Sequence, residues 1–266
     1  MLEKLNVAQL PDPILIVAPH PDDDVLGTGG LIQAAQRFGK KIYILYVTAG
    51  DANGNSVKNF LHKPLLPRWF IKLGYVRHNE AILAEKYLGV PKSHLFFLGF
   101  PDSITYNIVT DTNMARVHQS PLTKFNKAAY SFAYVRNAPY SHESILRLVK
   151  SVLKEVRPGT IFVTLRQDTN PDHAASNLII KQAVLQLKIN PNIYFYLIHY
   201  PGFPNRFGPI RPPAGLNVKN PVTLPLTIRE VAVKRKAFSF MRSQASRFYN
   251  KYFRQNELFW RGNIGN

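Results

Sequence analysis

The chain has 266 residues, 45% of them apolar and 19% charged, the balance of a folded protein with a sizeable core and not of a disordered or fibrous one. Cysteine is absent, which excludes disulfides, thiolate metal sites and a cysteine nucleophile, and leaves His, Asp and Glu as metal donors; it fits a cytoplasmic protein. The formal net charge of +18 attracts polyanions such as nucleic acid, an anionic membrane surface or an acidic glycan.

The first residues lack the apolar stretch of a secretory signal, and no run approaches the roughly 18 apolar residues of a membrane span, so neither is expected. Residues 14–18 (ILIVA) form a short apolar run that reads as a buried parallel strand. A helix is expected over 24–38, closed by Gly39, and a second buried strand over 42–48. Together they make a βαβ unit. A helix over 79–88 and a short strand over 95–98 follow. Residues 103–140 lack periodicity and read as an insertion or a long active-site loop. An amphipathic helix over 144–156, a strand over 160–165, a helix over 174–187 and a strand over 193–198 continue the alternation. The tail from residue 201 is Pro-rich, then basic and helical over about 228–252, and reads as a C-terminal extension packed on the domain. The whole predicts one α/β domain over 1–266: a Rossmann-like, open, mostly parallel sheet with helices on both faces. Ligands of such sheets bind beyond the carboxyl ends of the strands.

Two segments fall at that edge. Pro19-His20-Pro21-Asp22-Asp23-Asp24 follows the first strand. A helix N-terminus tolerates acids, but three packed carboxylates repel one another, and a cation would relieve this. An N-cap cluster is the competing reading. Gly27, Gly29 and Gly30 invite a dinucleotide fold, yet the G-x-G-x-x-G spacing fails and three acids stand where phosphates would lie. These glycines are expected instead to let helix and sheet approach closely. Asp168-Thr169-Asn170-Pro171-Asp172-His173 follows the fourth predicted strand. Two His and at least one Asp on two loops at one sheet edge match a three-ligand catalytic zinc site with a position left for water.

These motifs resemble those of the LmbE-like family, which includes the PIG-L enzymes. His20-Pro21-Asp22-Asp23-Asp24 resembles the family's first motif, and Asn170-Pro171-Asp172-His173 its His-Pro-Asp-His motif. Arg77 and Glu80, with Ala84 and Leu88-Gly89, resemble its Arg-x-x-Glu helix; Phe97-Leu98-Gly99-Phe100-Pro101-Asp102 resembles its Leu-Gly-Phe-Pro-Asp turn. Tyr196-Leu197-Ile198-His199 and Asn256-Glu257-Leu258-Phe259 resemble later segments. The resemblance implies a metal-dependent N-deacetylase acting on an N-acetyl amino sugar or glycoconjugate, with Zn2+ or another divalent metal held by His20, Asp23 and His173. It implies Asp22 as general base.

Asn170 departs from the family pattern, which has a His that stabilises the oxyanion. Losing one such donor costs on the order of 10²–10³ in rate. His199 is the candidate substitute, against a structural role. Asp168, Asp172 and Asp24 are expected to orient the site, against plain loop capping. Arg77 is expected to contact substrate, against an ion pair with Glu80. The segment 58–72 mixes cations with Phe60, Leu65, Leu66, Trp69 and Phe70. It reads as a loop folded on the core with its cations in water, or as a peripheral membrane contact over a lipid-linked or anionic substrate. Nucleic acid ranks below glycan or lipid, since no nucleic-acid module is recognisable. A homo-oligomer is compatible with the sequence. The alternative function is an altered, non-catalytic member that binds an anionic glycan or lipid, motivated by Asn170 and the charge.

Overall fold

The computed structural model describes residues 2–262. Eight strands form one sheet: β1 (Glu3–Lys4), β2 (Ile14–Ala18), β3 (Ile42–Thr48), β4 (Leu95–Phe100), β5 (Thr160–Thr164), β6 (Asn192–Tyr196), β7 (Pro221–Pro225) and β8 (Asn256–Gly262). Their order is β1-β7-β8-β6-β5-β2-β3-β4. All neighbours run parallel except β8, which is antiparallel to both β6 and β7. The helices are α1 (Asp23–Arg37), α2 (Gly54–Asn59), α3 (Pro67–Tyr87), α4 (Thr105–Thr110), α5 (His142–Val156), α6 (Pro171–Leu187) and α7 (Ile228–Phe238). Helices α1, α3 and α7 pack together on one side, and α4, α5 and α6 on the other. The expected α/β class and mostly parallel order are therefore present.

The apolar runs read from sequence are the central strands. Every residue of β2 and β5 is buried, as a strand covered on both faces requires. Helix α1 lies close to the sheet because Gly27 sits against Tyr196: an added Cβ would come 2.4 Å from that ring. The expected close helix–sheet approach holds for Gly27 and for Gly30, which meets Leu226 and Glu257, whereas Gly29 instead faces Lys234 of α7.

Three stretches differ from expectation. Helix α3 begins at Pro67, not at residue 79. Proline suits the first helical position, where its missing N–H costs nothing. The segment 58–72 is thus the end of α2, a connection, and the start of α3. Phe70 is buried, Leu65 and Leu66 are exposed, and Lys63 and Arg68 lie over the Trp69 ring at 5.1 and 5.2 Å. In the tail, helix α7 stops at Phe238, and 3-10 turns replace the expected helix through residue 252. The tail also contributes β7 and β8 to the sheet. Residues 126–140 cover the edge strand β4, with Tyr134 N donating to Phe97 O at 2.7 Å and the Tyr140 hydroxyl to Gly99 O at 3.1 Å.

A buried ion pair joins α7 to β8 within the tail, and its carboxylate ties the tail to α1. Lys234 Nζ donates to Glu257 Oε1 at 2.6 Å, and both side chains are out of solvent. Glu257 also accepts from Gly30 N and Leu31 N at 2.7 and 2.8 Å. Lys234→Ala leaves that carboxylate buried without its cation and is expected to cost about 3–5 kcal/mol, read as a lower urea midpoint. An unchanged midpoint would show that the pair does not hold α7 to β8.

Candidate metal centre

The strand order explains how residues 20 and 173 meet. The chain builds outward from β2 through β3 to β4, then returns to place β5 on the other side of β2. The loops after β2 and β5 diverge at this reversal and leave a crevice between them. On one wall, Thr48 N and Oγ1 both donate to Pro19 O, at 3.0 and 2.9 Å, and hold the His20 loop against β3. On the other, Thr164 Oγ1 donates to His173 O at 2.8 Å, and Asn177 Nδ2 to Thr164 O at 2.7 Å. These bonds fix the first turn of α6 against the end of β5.

Three acceptor atoms converge in the crevice. His20 Nδ1 lies 3.1 Å from Asp23 Oδ2, His173 Nε2 lies 3.1 Å from the same oxygen, and the two nitrogens are 3.2 Å apart. Ligands bound to one zinc-sized ion at about 2.0–2.2 Å stand roughly 3.3 Å from each other in tetrahedral geometry. The orientation of each ring matters as much as the spacing. Asp168 Oδ2 lies 3.1 Å from His173 Nδ1 and also accepts from Ile198 N and His199 N at 2.9 and 3.0 Å. An acceptor-only carboxylate puts the neutral ring's proton on Nδ1 and turns the lone pair of Nε2 toward Asp23. His20 Nε2 lies 3.4 Å from both Asp102 Oδ1 and Asp172 Oδ2, which leaves its Nδ1 as the free donor atom. Two lone pairs and a carboxylate facing one another in a buried pocket call for a cation. Electrostatics say the same: burial opposes charging His173, but Asp168 and Asp23 outweigh it and push it up to about 10. His20 is raised likewise, burial being outweighed by Asp102 first. The donor set therefore fits a divalent ion of the N/O-binding kind.

Asp22 stands beside this cluster. Arg77 Nη2 donates to its Oδ1 at 2.8 Å, and the same guanidinium donates to Gly50 O at 2.9 Å and Pro21 O at 3.2 Å. Gly50 has a φ of 63°, and a Cβ there would meet the guanidinium at 2.5 Å, so only glycine brings its carbonyl this close. Burial raises the Asp22 carboxyl, against the downward pull of Arg77. Arg77 is itself buried and does not pair with Glu80, which accepts from Ser243 N and Oγ at 2.8 and 2.5 Å.

The remaining sequence-derived candidates divide. Asn170 and His199 both line the cleft above the cluster, a space of about 290 Å³. Asn170 Oδ1 caps α6 by accepting from Asp172 N at 2.9 Å, so only its Nδ2 is left to face a ligand. His199 sits with its ring centroid 5.0 Å from that of His173, and burial lowers its pKa, with His173 adding to the shift. Asp172 accepts from Ser103 N and Thr105 N at 2.5 and 3.0 Å and anchors the loop after β4. Asp24 touches no ligand atom, contrary to expectation. It turns under the site, where the Tyr46 hydroxyl donates to it, and burial raises it to about 6 beside the equally buried Glu85. Adjacent helical residues point about 100° apart, so Asp23 and Asp24 cannot share a face.

Asp102 was not singled out from the sequence. It lies in the loop after β4, at the same sheet edge, and is held by the pairs Asp102 N to Asp51 Oδ1 at 3.1 Å and Ala52 N to Asp102 Oδ2 at 3.2 Å. The strand-end rule that found the two histidines also covers this position. Asn53, Gln244 and Tyr249 complete the cleft and carry no local motif.

The protein-family model described as PIG-L, GlcNAc-PI de-N-acetylase, matches residues 15–184. The chain belongs to the PIG-L family. A Rhodococcus opacus relative, a 1D-myo-inositol 2-acetamido-2-deoxy-alpha-D-glucopyranoside deacetylase, is 27% identical over 174 residues, covering 64% of this chain and 52% of that one. The chain spans a quarter to about half the length of the curated relatives it matches. Among solved structures, the deacetylase of the antimicrobial A40926 pseudoaglycone superposes with a TM-score of 0.61 at 19% identity, covering 94% of this chain and 97% of that one. A 4-carboxy-2-hydroxymuconate hydratase from Pseudomonas putida KT2440 superposes at 0.57 with 17% identity, covering 91% and 82%. The PIG-L fold thus carries more than one chemistry, and the choice between them rests on the site. No helix among the described residues is long and apolar enough to cross a membrane.

Proposed function

We propose that this chain is a zinc-dependent hydrolase that removes the acetyl group from an N-acetylated amino sugar or glycoconjugate. The observation that carries the reading is the convergence of His20 Nδ1, Asp23 Oδ2 and His173 Nε2 beside a buried carboxylate, Asp22, that is held by Arg77 and faces an open cleft. A bound divalent ion supplies positive charge that acidifies water and polarises a carbonyl. Asp22 takes the proton as the water oxygen bonds to the acetamide carbon. The C–N bond then breaks, acetate leaves, and the Asp22 proton passes to the amine. Arg77 opposes the upward push of burial on this carboxylate and aims it. His199 Nε2–H or Nδ1–H and Asn170 Nδ2 supply neutral hydrogen-bond donors for the developing oxyanion, in place of a charged imidazolium.

The test is acetate release by the purified, metal-loaded protein from a panel of N-acetyl amino sugars and their glycosides. Release above background supports the reading; none from any member overturns it. Asn170→Ala separates the two jobs of that residue. Loss of the cap alone costs about 1 kcal/mol of stability, whereas an oxyanion donor also costs on the order of 10²-fold in rate. A stability change with kcat untouched would remove Asn170 from the chemistry. In the second reading, favoured by Asn170 itself, the cleft binds an anionic glycan without turnover.

A further inference from the structure

The metal cleft continues into a second cavity of about 650 Å³, and the two share Asn53, Gln244 and Tyr249 in their walls. The wall is built from α2 on one side and the turns at Arg242–Gln244 and Arg247–Tyr252 on the other. It is tied rigidly. Ser56 Oγ donates to Ser243 O at 2.6 Å, Asn53 Nδ2 to Gln244 Oε1 at 2.9 Å, and Ser243 is pinned by the buried Glu80 of α3. Inside this frame, Asn55, Asn59 and Arg242 carry side chains that make no hydrogen bond or ion pair among the described residues. Phe60, the half-exposed Phe248 and the partly buried Tyr249 add aromatic surface. No carboxylate lines the cavity, so its one guanidinium is uncompensated. Amide groups beside aromatic faces are the chemistry that binds a pyranose ring, by hydrogen bonds to hydroxyls and stacking on C–H faces. An unpaired Arg at the rim selects a carboxylate or phosphate.

Resting on the deacetylase reading, we infer that this cavity is a second sugar subsite: it holds the unit beyond the N-acetyl sugar, and Arg242 favours an acidic group on it. The true substrate is then at least disaccharide-sized and anionic. The turns that build the subsite lie outside the part of the chain matched by the family model, which ends at residue 184.

Three probes test it: N-acetylglucosamine, N,N'-diacetylchitobiose, and N-acetylglucosamine linked to glucuronic acid. The metal-loaded protein is expected to prefer them in rising order of kcat/KM. Arg242→Ala should shrink the acidic-over-neutral disaccharide ratio about tenfold, and Phe248→Ala or Asn59→Ala the disaccharide-over-monosaccharide ratio by a similar factor. Disaccharides no better than the monosaccharide, or ratios unmoved by all three variants, overturn the subsite. If no probe releases acetate, the deacetylase reading fails, and calorimetric binding then decides the subsite by itself. Acidic-disaccharide affinity weakened by Arg242→Ala supports it; affinity unchanged by that variant, or no binding, rejects it.

Discussion

Asp22→Asn should lower acetate release by about 10²–10⁴-fold, the range lost with a positioned general base, while the protein still takes up one equivalent of zinc. The prediction follows from the division of labour at the start of α1. Asp23 Oδ2 meets both histidines, whereas Asp22 Oδ1 is spoken for by Arg77 and stands outside the ligand set. The amide keeps the size of the carboxylate and cannot take a proton. Metal content is measured alongside rate, since a variant that loses zinc would make Asp22 a ligand and undo the assignment. Arg77→Met serves as the companion. It leaves Asp22 buried without its cation, so both rate and stability should fall, with zinc uptake again intact.

His173→Ala should abolish stoichiometric divalent-metal binding and bring activity to background. The wild-type protein is expected to gain thermal stability on adding zinc, because an ion that binds only the folded state stabilises it by about 2.7 kcal/mol at a hundredfold excess over Kd. The variant should show no such gain. His173 is fully buried, and its ring is held by Asp168, a carboxylate that already accepts from three backbone N–H groups. Removing the imidazole leaves Asp168 satisfied, so the apo variant should still fold, and loss of the zinc-induced shift can be read cleanly. A variant that retains zinc with native affinity would show that the three atoms do not share an ion.

How much of this was legible in the residues differs by place. The two histidine loops could be found because each follows a wholly apolar run, and buried parallel strands leave few other readings. The role of Asp24 could not, since three consecutive acids look alike in sequence and only the helical rotation sends one toward Tyr46 and Glu85 instead of the histidines. Helix α3 was cut short in the reading because Leu65-Leu66-Pro67-Arg68-Trp69-Phe70 mixes cations with large apolar groups, although Pro67 at the first helical position was the available start signal. Strands β7 and β8 escaped for a different reason. β7 is only five residues long and is bounded by Pro221 and Pro225, so its alternation of buried Val222 and Leu224 is too short to stand out, while the first five residues of β8, Asn256 to Trp260, are all buried and include Asn256 and Glu257, so β8 lacks the alternation of a strand with one wet face. Their place depends on partners more than 30 residues away, such as Phe195 opposite Trp260.

The wedging of β8 between β6 and β7 also fixes the order in which the molecule can be finished. Ribosomal synthesis delivers residues 256–262 after every other strand. Until they emerge, β6 presents bare amide and carbonyl groups along one side, and β1 and β7 have no sheet to join. A nascent chain stalled before that point carries an open, sticky border of the kind that recruits chaperones or neighbouring copies. Closing it late, with a strand inserted from the opposite direction, makes β8 the seam of the whole sheet.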